Sequence, residues 1–256
     1  MYHYIKLKAT ASTNTYLASV AAVLPSGTIV YTDCQSAGRG QRGNSWEAEP
    51  GKNLSFSLLL KAIPLEPARQ FLISEAVALA LLDVLDTFAD GFSVKWPNDI
   101  YRHDSKISGT LIENALQGSR ILHSIIGIGL NVNQSHFSSD APNPISLCHI
   151  IGRETPLEPL LRAIGTAIEK RLAPLTDTAH PDEAALAALH RDYFARLYRA
   201  DGRPHPFSLP DGTRFLAVIT DVRPDGRLIL TDAATGIATP FYFKEVAFAS
   251  IPASRP

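Results

Sequence analysis

Gly38-Arg-Gly-Gln-Arg-Gly-Asn-Ser-Trp-Glu-Ala-Glu-Pro-Gly51, followed by Asn53-Leu-Ser-Phe-Ser-Leu-Leu-Leu60, is the stretch on which the fold turns. Its first six residues spell Gly-x-Gly-x-x-Gly, the spacing of a dinucleotide fingerprint. That motif works only where a helix opens directly after it, because the helix N-terminus holds the pyrophosphate. Here eight residues with Trp46, two acids and Pro50 lead instead into a run of strand formers. The doubly wound dinucleotide fold is therefore excluded. What is left is a glycine-rich loop with two arginines and an indole. Its backbone N–H groups and guanidinium forks can approach an anion closely while the indole offers a flat face. Phosphate plus an aromatic base suits that chemistry, and an exposed mobile turn is the plain alternative.

Outward from this loop the chain reads as alternating strands and helices. Upstream, a strand over residues 2–8 and one over 28–32 flank residues 12–24, whose leading hydroxyls can cap a helix that Pro25 and Gly27 end. Downstream, Phe71, Leu72, Ala76, Leu79, Ala80, Leu82 and Leu85 recur at helical spacing within 66–88. Strands follow over 94–96, 99–102, 106–114 and 120–131, then helices over 156–175 and 182–199. This predicts an α+β fold, a mixed β-sheet packed on helices. Beyond Pro204 the helical period stops and short strands over 214–222, 227–232 and 239–244 are punctuated by Gly212, Gly226 and Gly236. The expected division is a domain over 1–204 and a small β-barrel over 205–256.

Composition limits the function classes. With 24 Lys+Arg against 25 Asp+Glu, a net charge of −1 and 19% charged residues, neither an acidic disordered tail nor a binder of nucleic acid by bulk positive charge is favoured. Any anion must be met by a local arrangement. Cys34 and Cys148 form no disulfide framework and no Cys-x-x-Cys pair, which fits a reducing compartment. The first residues lack the pattern of a secretory signal, and the longest apolar stretch, 71–85, is broken by Glu75 and Asp83 and too short to cross a bilayer. The expectation is a cytoplasmic protein without membrane contact.

Three further segments carry chemistry. Lys95-Trp-Pro-Asn-Asp-Ile-Tyr101 joins a proline turn to Asn98 and Asp99, which can hydrogen-bond or approach a metal. In Lys106-Ile-Ser-Gly-Thr-Leu-Ile-Glu113 a lysine opens a strand whose Ser108 and Gly109 are too small to fill a core. Ile126-Gly-Ile-Gly-Leu-Asn131 places Gly127 and Gly129 on one face by strand alternation. Small residues on strands admit close approach by something else, here a slot for a flat or bicyclic ligand, or else they mark bulges.

Taken together, Ser12-Thr-Asn14, Gln35-x-x-Gly-Arg-Gly-x-x-Gly43 with Trp46, Lys95-Trp-Pro-Asn-Asp99, Lys106-x-x-Gly109-x-Leu-x-Glu113 and Gly127-x-Gly-x-Asn131 resemble the biotin protein ligases in order and spacing. The resemblance implies a class II synthetase-like catalytic domain followed by a small SH3-like barrel. It leaves no room before Ser12 for the DNA-binding domain that some members add. It implies ATP-dependent attachment of biotin, through biotinyl-5′-AMP, to a lysine of an apo biotin carboxyl carrier protein of acetyl-CoA carboxylase or another biotin-dependent carboxylase. Homodimerisation is compatible with it, and nucleic acid is not an expected partner.

By position, the resemblance makes Lys106 and Arg39 the catalytic cations, set between the biotin carboxylate and the α-phosphate of ATP. Ser12, Thr13, Asn14, Gln35, Gly40, Gln41, Gly109 and Gly127 fall with them on biotin. Arg42, Trp46, Asn53, Asn98 and Asn131 fall on the ATP or adenylate side, and Asp99 is the candidate ligand of Mg²⁺. One departure stands out: many members carry Arg where this chain has Gln41. A lipoate or octanoyl ligase is the rival enzyme reading, and a non-catalytic biotin-sensing regulator the rival from another class.

Overall fold

Strand alternation sorts the central sheet into two faces before any helix is added. A computed structural model describes residues 2–138, 143–176 and 182–249, apart from the Arg42 side chain. Seven strands form the sheet: β1 (His3–Leu7), β2 (Thr28–Thr32), β3 (Leu54–Ile63), β4 (Phe92–Lys95), β5 (Asp99–Arg102), β6 (Ser105–Gln117) and β7 (Arg120–Leu130). Their order is β1-β2-β3-β7-β6-β5-β4, with β1 parallel to β2 and all other pairs antiparallel. On one face Leu54, Phe56, Leu58 and Leu60 of β3 join Ile126, Ile128 and Leu130 of β7 in the main core. On the other, Val30, Leu59 and Ile125 pack against Leu17 and Ala21 at helix α1 (Thr13–Val20).

The main core is built around α2 (Phe71–Leu85), thirteen of whose residues are buried. A helix apolar on all sides must be enclosed, and α4 (Leu157–Thr176) and α5 (Glu183–Ala195) pack on it, with α4 also touching β3. It is shorter than the 66–88 expected, since Pro67–Arg69 form a separate 3-10 turn. α1 likewise stops at Val20, and the Ser12 side chain makes no capping bond. A five-residue helix, α3 (Leu147–Ile151), was not expected from the sequence.

The C-terminal strands β8 (His205–Ser208), β9 (Arg214–Val222), β10 (Leu228–Asp232), β11 (Ala238–Phe241) and β12 (Ala247–Phe248) form one antiparallel sheet in the order β11-β10-β9-β8-β12. Its ladder is open, since the end strands β11 and β12 do not pair with each other. Phe207, Ile219, Val222 and Leu228 of this sheet belong to the same apolar cluster as α2. The two parts are also tied by polar links: Trp96 donates Nε1–H to the Gly226 carbonyl at 2.9 Å, and the Phe71 N–H reaches the Pro224 carbonyl at 3.3 Å.

A third link is ionic. Glu75 of α2 is fully buried and faces His190 Nδ1 of α5 at 2.8 Å, while His190 Nε2 meets Asp221 of β9 at 3.2 Å. The hydrogen bond from His190 to the Glu75 carboxylate is the main cause that raises the His190 pKa from 6.5 to about 9, and burial raises that of Glu75. A histidine with a raised folded-state pKa stabilises the fold fully below its unfolded value and loses that contribution as pH climbs through the folded one. Thermal stability is therefore expected to fall between about pH 6.5 and about pH 9, and His190→Gln is expected to flatten that slope in a pH series of unfolding curves. A variant with an undiminished slope would remove His190 as the cause.

Candidate active site

The pairing register lays a row of small residues across the α1 side of the sheet. Ser55 of β3 faces Gly129 of β7, Gly129 faces Gly109 of β6, and Gly109 faces Asp99 of β5. The next row is Ser57, Gly127 and Leu111, and the one after it is Leu59, Ile125 and Glu113. Because Ile126, Ile128 and Leu130 point to the opposite core, this face is left low, and a cavity of about 990 Å³ stands over it. Ser12, Thr13, Asn14, Gln35, Arg39, Gly40, Gln41, Trp46, Asn98, Asp99, Lys106, Gly109, Gly127 and Asn131 all contribute to its walls. Asn53 does not: it accepts from the Val132 N–H at 2.9 Å and donates to Gln134, so it braces the scaffold. The Arg42 side chain lies outside the described residues.

One end of the cavity is polar and neutral. The Thr13 N–H donates to Gln35 Oε1 at 2.9 Å, the Ser57 hydroxyl lies 2.6 Å from both Thr13 Oγ1 and Asn14 Oδ1, and Asn14 Nδ2 donates to Glu113 at 2.9 Å and to the Leu111 carbonyl at 3.2 Å. The Thr13 hydroxyl is therefore engaged with Gln35 and Ser57, not with capping α1. Arg39 then closes on Glu113 with two bonds of 2.7 and 3.3 Å. Thr13, Asn14 and Ser57 are all buried, so this is a desolvated set of hydrogen-bonding groups. Ser57 was not singled out by the sequence reading. The available signal was Ser55 and Ser57 alternating with Leu54, Phe56 and Leu58, which put two hydroxyls on the glycine face.

The other end is cationic. Lys106 Nζ pairs with Asp99 at 2.8 Å and lies 5.7 Å from the centre of the Trp46 ring. Lys95 donates to the Tyr101 hydroxyl at 3.1 Å and sits over the rings of Tyr101 and Phe248 at 4.4 and 5.4 Å. Burial lowers the Lys95 pKa. Asn98 donates to the Thr110 carbonyl, while Asn131 donates to that of Ile145 and keeps a buried Oδ1 without a partner among the described residues. Among the described residues no group of three or more His, Cys, Asp or Glu forms a metal cage, and Asp99 is committed to Lys106.

Two expectations change here. The loop, for which an exposed mobile turn was the plain alternative, carries backbone bonds of its own: Gly40 N–H bonds to the Asn44 carbonyl at 2.7 Å, Trp46 N–H to that of Gly38 at 3.0 Å, and Gln41–Gly43 make a 3-10 turn, giving a miniature hairpin. Nor is the slot over the glycines open. A Cβ at Gly127 would overlap the Asn14 amide, and one at Gly129 would overlap the Trp46 indole, whose Nε1 is buried without a partner among the described residues. The glycines make room first for the protein's own side chains. The sequence reading also placed every site residue before position 132, whereas Phe243, Val246 and Phe248 of the C-terminal part wall the cavity as well.

Comparison with known proteins gives the site its context. Residues 7–131 match the model of the Biotin/lipoate A/B protein ligase family. The chain is 33% identical over 177 residues to the Bacillus subtilis bifunctional ligase/repressor BirA, covering 67% of this chain and 53% of that one, so it spans about half that relative's length. It is 27% identical over 227 residues to the Mycobacterium tuberculosis biotin–[acetyl-CoA-carboxylase] ligase, covering 86% of this chain and 80% of the relative. The fold matches that of a solved Aquifex aeolicus biotin protein ligase in complex with biotin and ATP, with a TM-score of 0.76, 22% identity and coverage of 97% and 99% of the two chains.

Proposed function

Residues 7–131 of this chain match the model of the Biotin/lipoate A/B protein ligase family, and from that likeness we propose that the protein attaches biotin to a carrier lysine at the expense of ATP. One observation carries the reading. A single cavity joins a buried hydrogen-bonding end at Thr13, Asn14 and Ser57, with Arg39 beside it on Glu113, to a cationic end at Lys106 and Lys95. A urea buried at the first end finds donors and acceptors, and an acid and a phosphate meeting at the second find positive charge.

In the first step a biotin carboxylate oxygen attacks the α-phosphorus of ATP, the bond to the β-phosphate oxygen breaks, and pyrophosphate leaves. In the second, the neutral amine of the carrier lysine attacks the acyl carbon and AMP departs. Lys106 would leave Asp99 to meet the two anions of the first step, with Arg39 beside it. Trp46 would lie against the adenine and the hairpin loop would cover the mixed anhydride from water. Gly127 and Gly109 would let biotin approach the floor beside Asn14 and Trp46, while Asn98 and Asn131 serve the ribose and phosphate side. Mg²⁺ suits a site of this kind as an ion carried largely by ATP phosphates, since the wall offers Asp99 and little other carboxylate.

The acceptor in this reading is an apo biotin carboxyl carrier protein of acetyl-CoA carboxylase or another biotin-dependent carboxylase. Residues 205–256 correspond to the SH3-like part that follows the catalytic domain of 1–204. A reducing, cytoplasmic setting fits the two free cysteines, and no helix among the described residues is long and apolar enough to cross a membrane.

The decisive experiment incubates the protein with ATP, Mg²⁺ and either biotin or lipoate, weighs the bound adenylate by mass spectrometry, and then adds an apo carrier domain. Biotinyl-5′-AMP followed by a biotinylated carrier is the expected result. A lipoyl adenylate in its place would transfer the chain to the other branch of the family, and no adenylate with either acid would end the ligase reading.

A further inference from the structure

The side chains assigned to the ring end of biotin are wired together through two residues that have no assigned role, Ser57 and Glu113, and the second of these does more than brace. Glu113 stands on β6 one row beyond Gly127. Its carboxylate takes Arg39 Nη2 at 2.7 Å, Arg39 Nη1 at 3.3 Å and Asn14 Nδ2 at 2.9 Å. The remaining N–H of the Asn14 amide goes to the Leu111 carbonyl at 3.2 Å. Both groups on that side are acceptors only, which fixes the amide: Oδ1 must turn to the Ser57 hydroxyl, and it keeps a second lone pair for a ligand N–H.

The same carboxylate reaches across to the loop. Arg39 spends two of its N–H donors on Glu113 and brings Nη1 within 3.5 Å of Thr15 of α1, so the hairpin is drawn down between α1 and β6. A guanidinium has five N–H donors, and those left over remain for an anion. Bidentate geometry makes this pair directional as well as attractive. Gln41 in the hairpin is uncharged, so the Glu113 anchor has no charge at that position to share its task.

We propose that Glu113 is the positioning residue of the biotin seat: one carboxylate turns the Asn14 amide to accept from the ureido group and holds Arg39, with the hairpin, over the bound ring. This rests on the ligase reading above.

The test uses the full chain with Glu113→Gln and Glu113→Ala. KM for biotin and KM for ATP are measured separately through biotin-dependent pyrophosphate release, alongside thermal unfolding. Glu113→Gln keeps an acceptor for Asn14 and loses the charge facing Arg39, so its KM for biotin should rise about tenfold, whereas Glu113→Ala loses both and should rise about a hundredfold. KM for ATP should change by less than about threefold, a split that simple loss of folded protein would not produce. An unchanged KM for biotin in the folded Glu113→Gln protein, or equal rises for biotin and ATP, overturns the proposal. Failure of the ligase reading looks different, because the unmodified chain then makes no biotinyl adenylate at all.

Discussion

Lys106→Ala is expected to lower biotin-dependent pyrophosphate release by about a thousandfold while leaving the fold intact. The proposed first step presses a carboxylate against a phosphate, and fixed positive charge at the meeting point would be the largest single source of barrier lowering available to the protein. Lys106 is one of the two lysines of the cationic end, held by Asp99 at 2.8 Å with both side chains 23% exposed. A partly exposed ion pair of this kind contributes little to stability, so the loss should appear in rate and not in the unfolding curve. Arg39→Ala should act in the same direction. Gln41→Ala should be mild, because that side chain brings no charge to the wall. Measurement of single-turnover adenylate formation separates these outcomes, and a near-normal rate in Lys106→Ala would sink the catalytic assignment.

Gly127→Ala is expected to weaken biotin binding by about a hundredfold, although it adds only one uncharged methyl group. The added carbon would overlap the Asn14 amide. Neither side can yield easily. Gly127 is held in the middle of the sheet between Ser57 of β3 and Leu111 of β6, and Asn14 is held by Ser57, Glu113 and the Leu111 carbonyl. The amide must therefore be expelled from the position proposed to seat the ureido group, leaving the Ser57 and Glu113 groups short of a partner. Titration calorimetry with biotin alone reads the effect without catalysis. Undiminished affinity would show that Asn14 is not part of the biotin seat.

Much of the site was legible in the sequence because it lies on features with strong local signatures. Gly127-x-Gly129 and Gly109 had to share a face by strand alternation, and the failure of a helix to open after Gly43 removed the competing fold. Fourteen of the residues named from sequence motifs line one cavity. What escaped depends on contacts between segments far apart in the chain. Glu113 meets Arg39 across seventy-four positions, and Ser57 meets Asn14 across forty-three. No local period announces such pairs. Asn53 misled for the same reason, since its partners Val132 and Gln134 lie on a distant loop. The hairpin within residues 38–46 was missed because only two backbone bonds close it, and three of the four residues they join are Gly or Asn, which are poor strand formers. The fold class was readable from patterning, while the open ladder of the C-terminal sheet depends on which end strands meet, a matter of long-range geometry.

Phe248 of β12 and Phe243 and Val246 of the turn before it stand in the cavity wall, in a C-terminal part that shares its core with α2. The last fifty residues are not an interchangeable cassette. Exchanging them for the equivalent part of a relative would graft a foreign wall onto the pocket, and would set Gly226 against Phe71 and the Gly226 carbonyl against Trp96 with new shapes on one side only. Chimaeras cut near residue 205 should therefore need paired substitutions on both sides of the joint, and natural variation at the two surfaces should be inherited together.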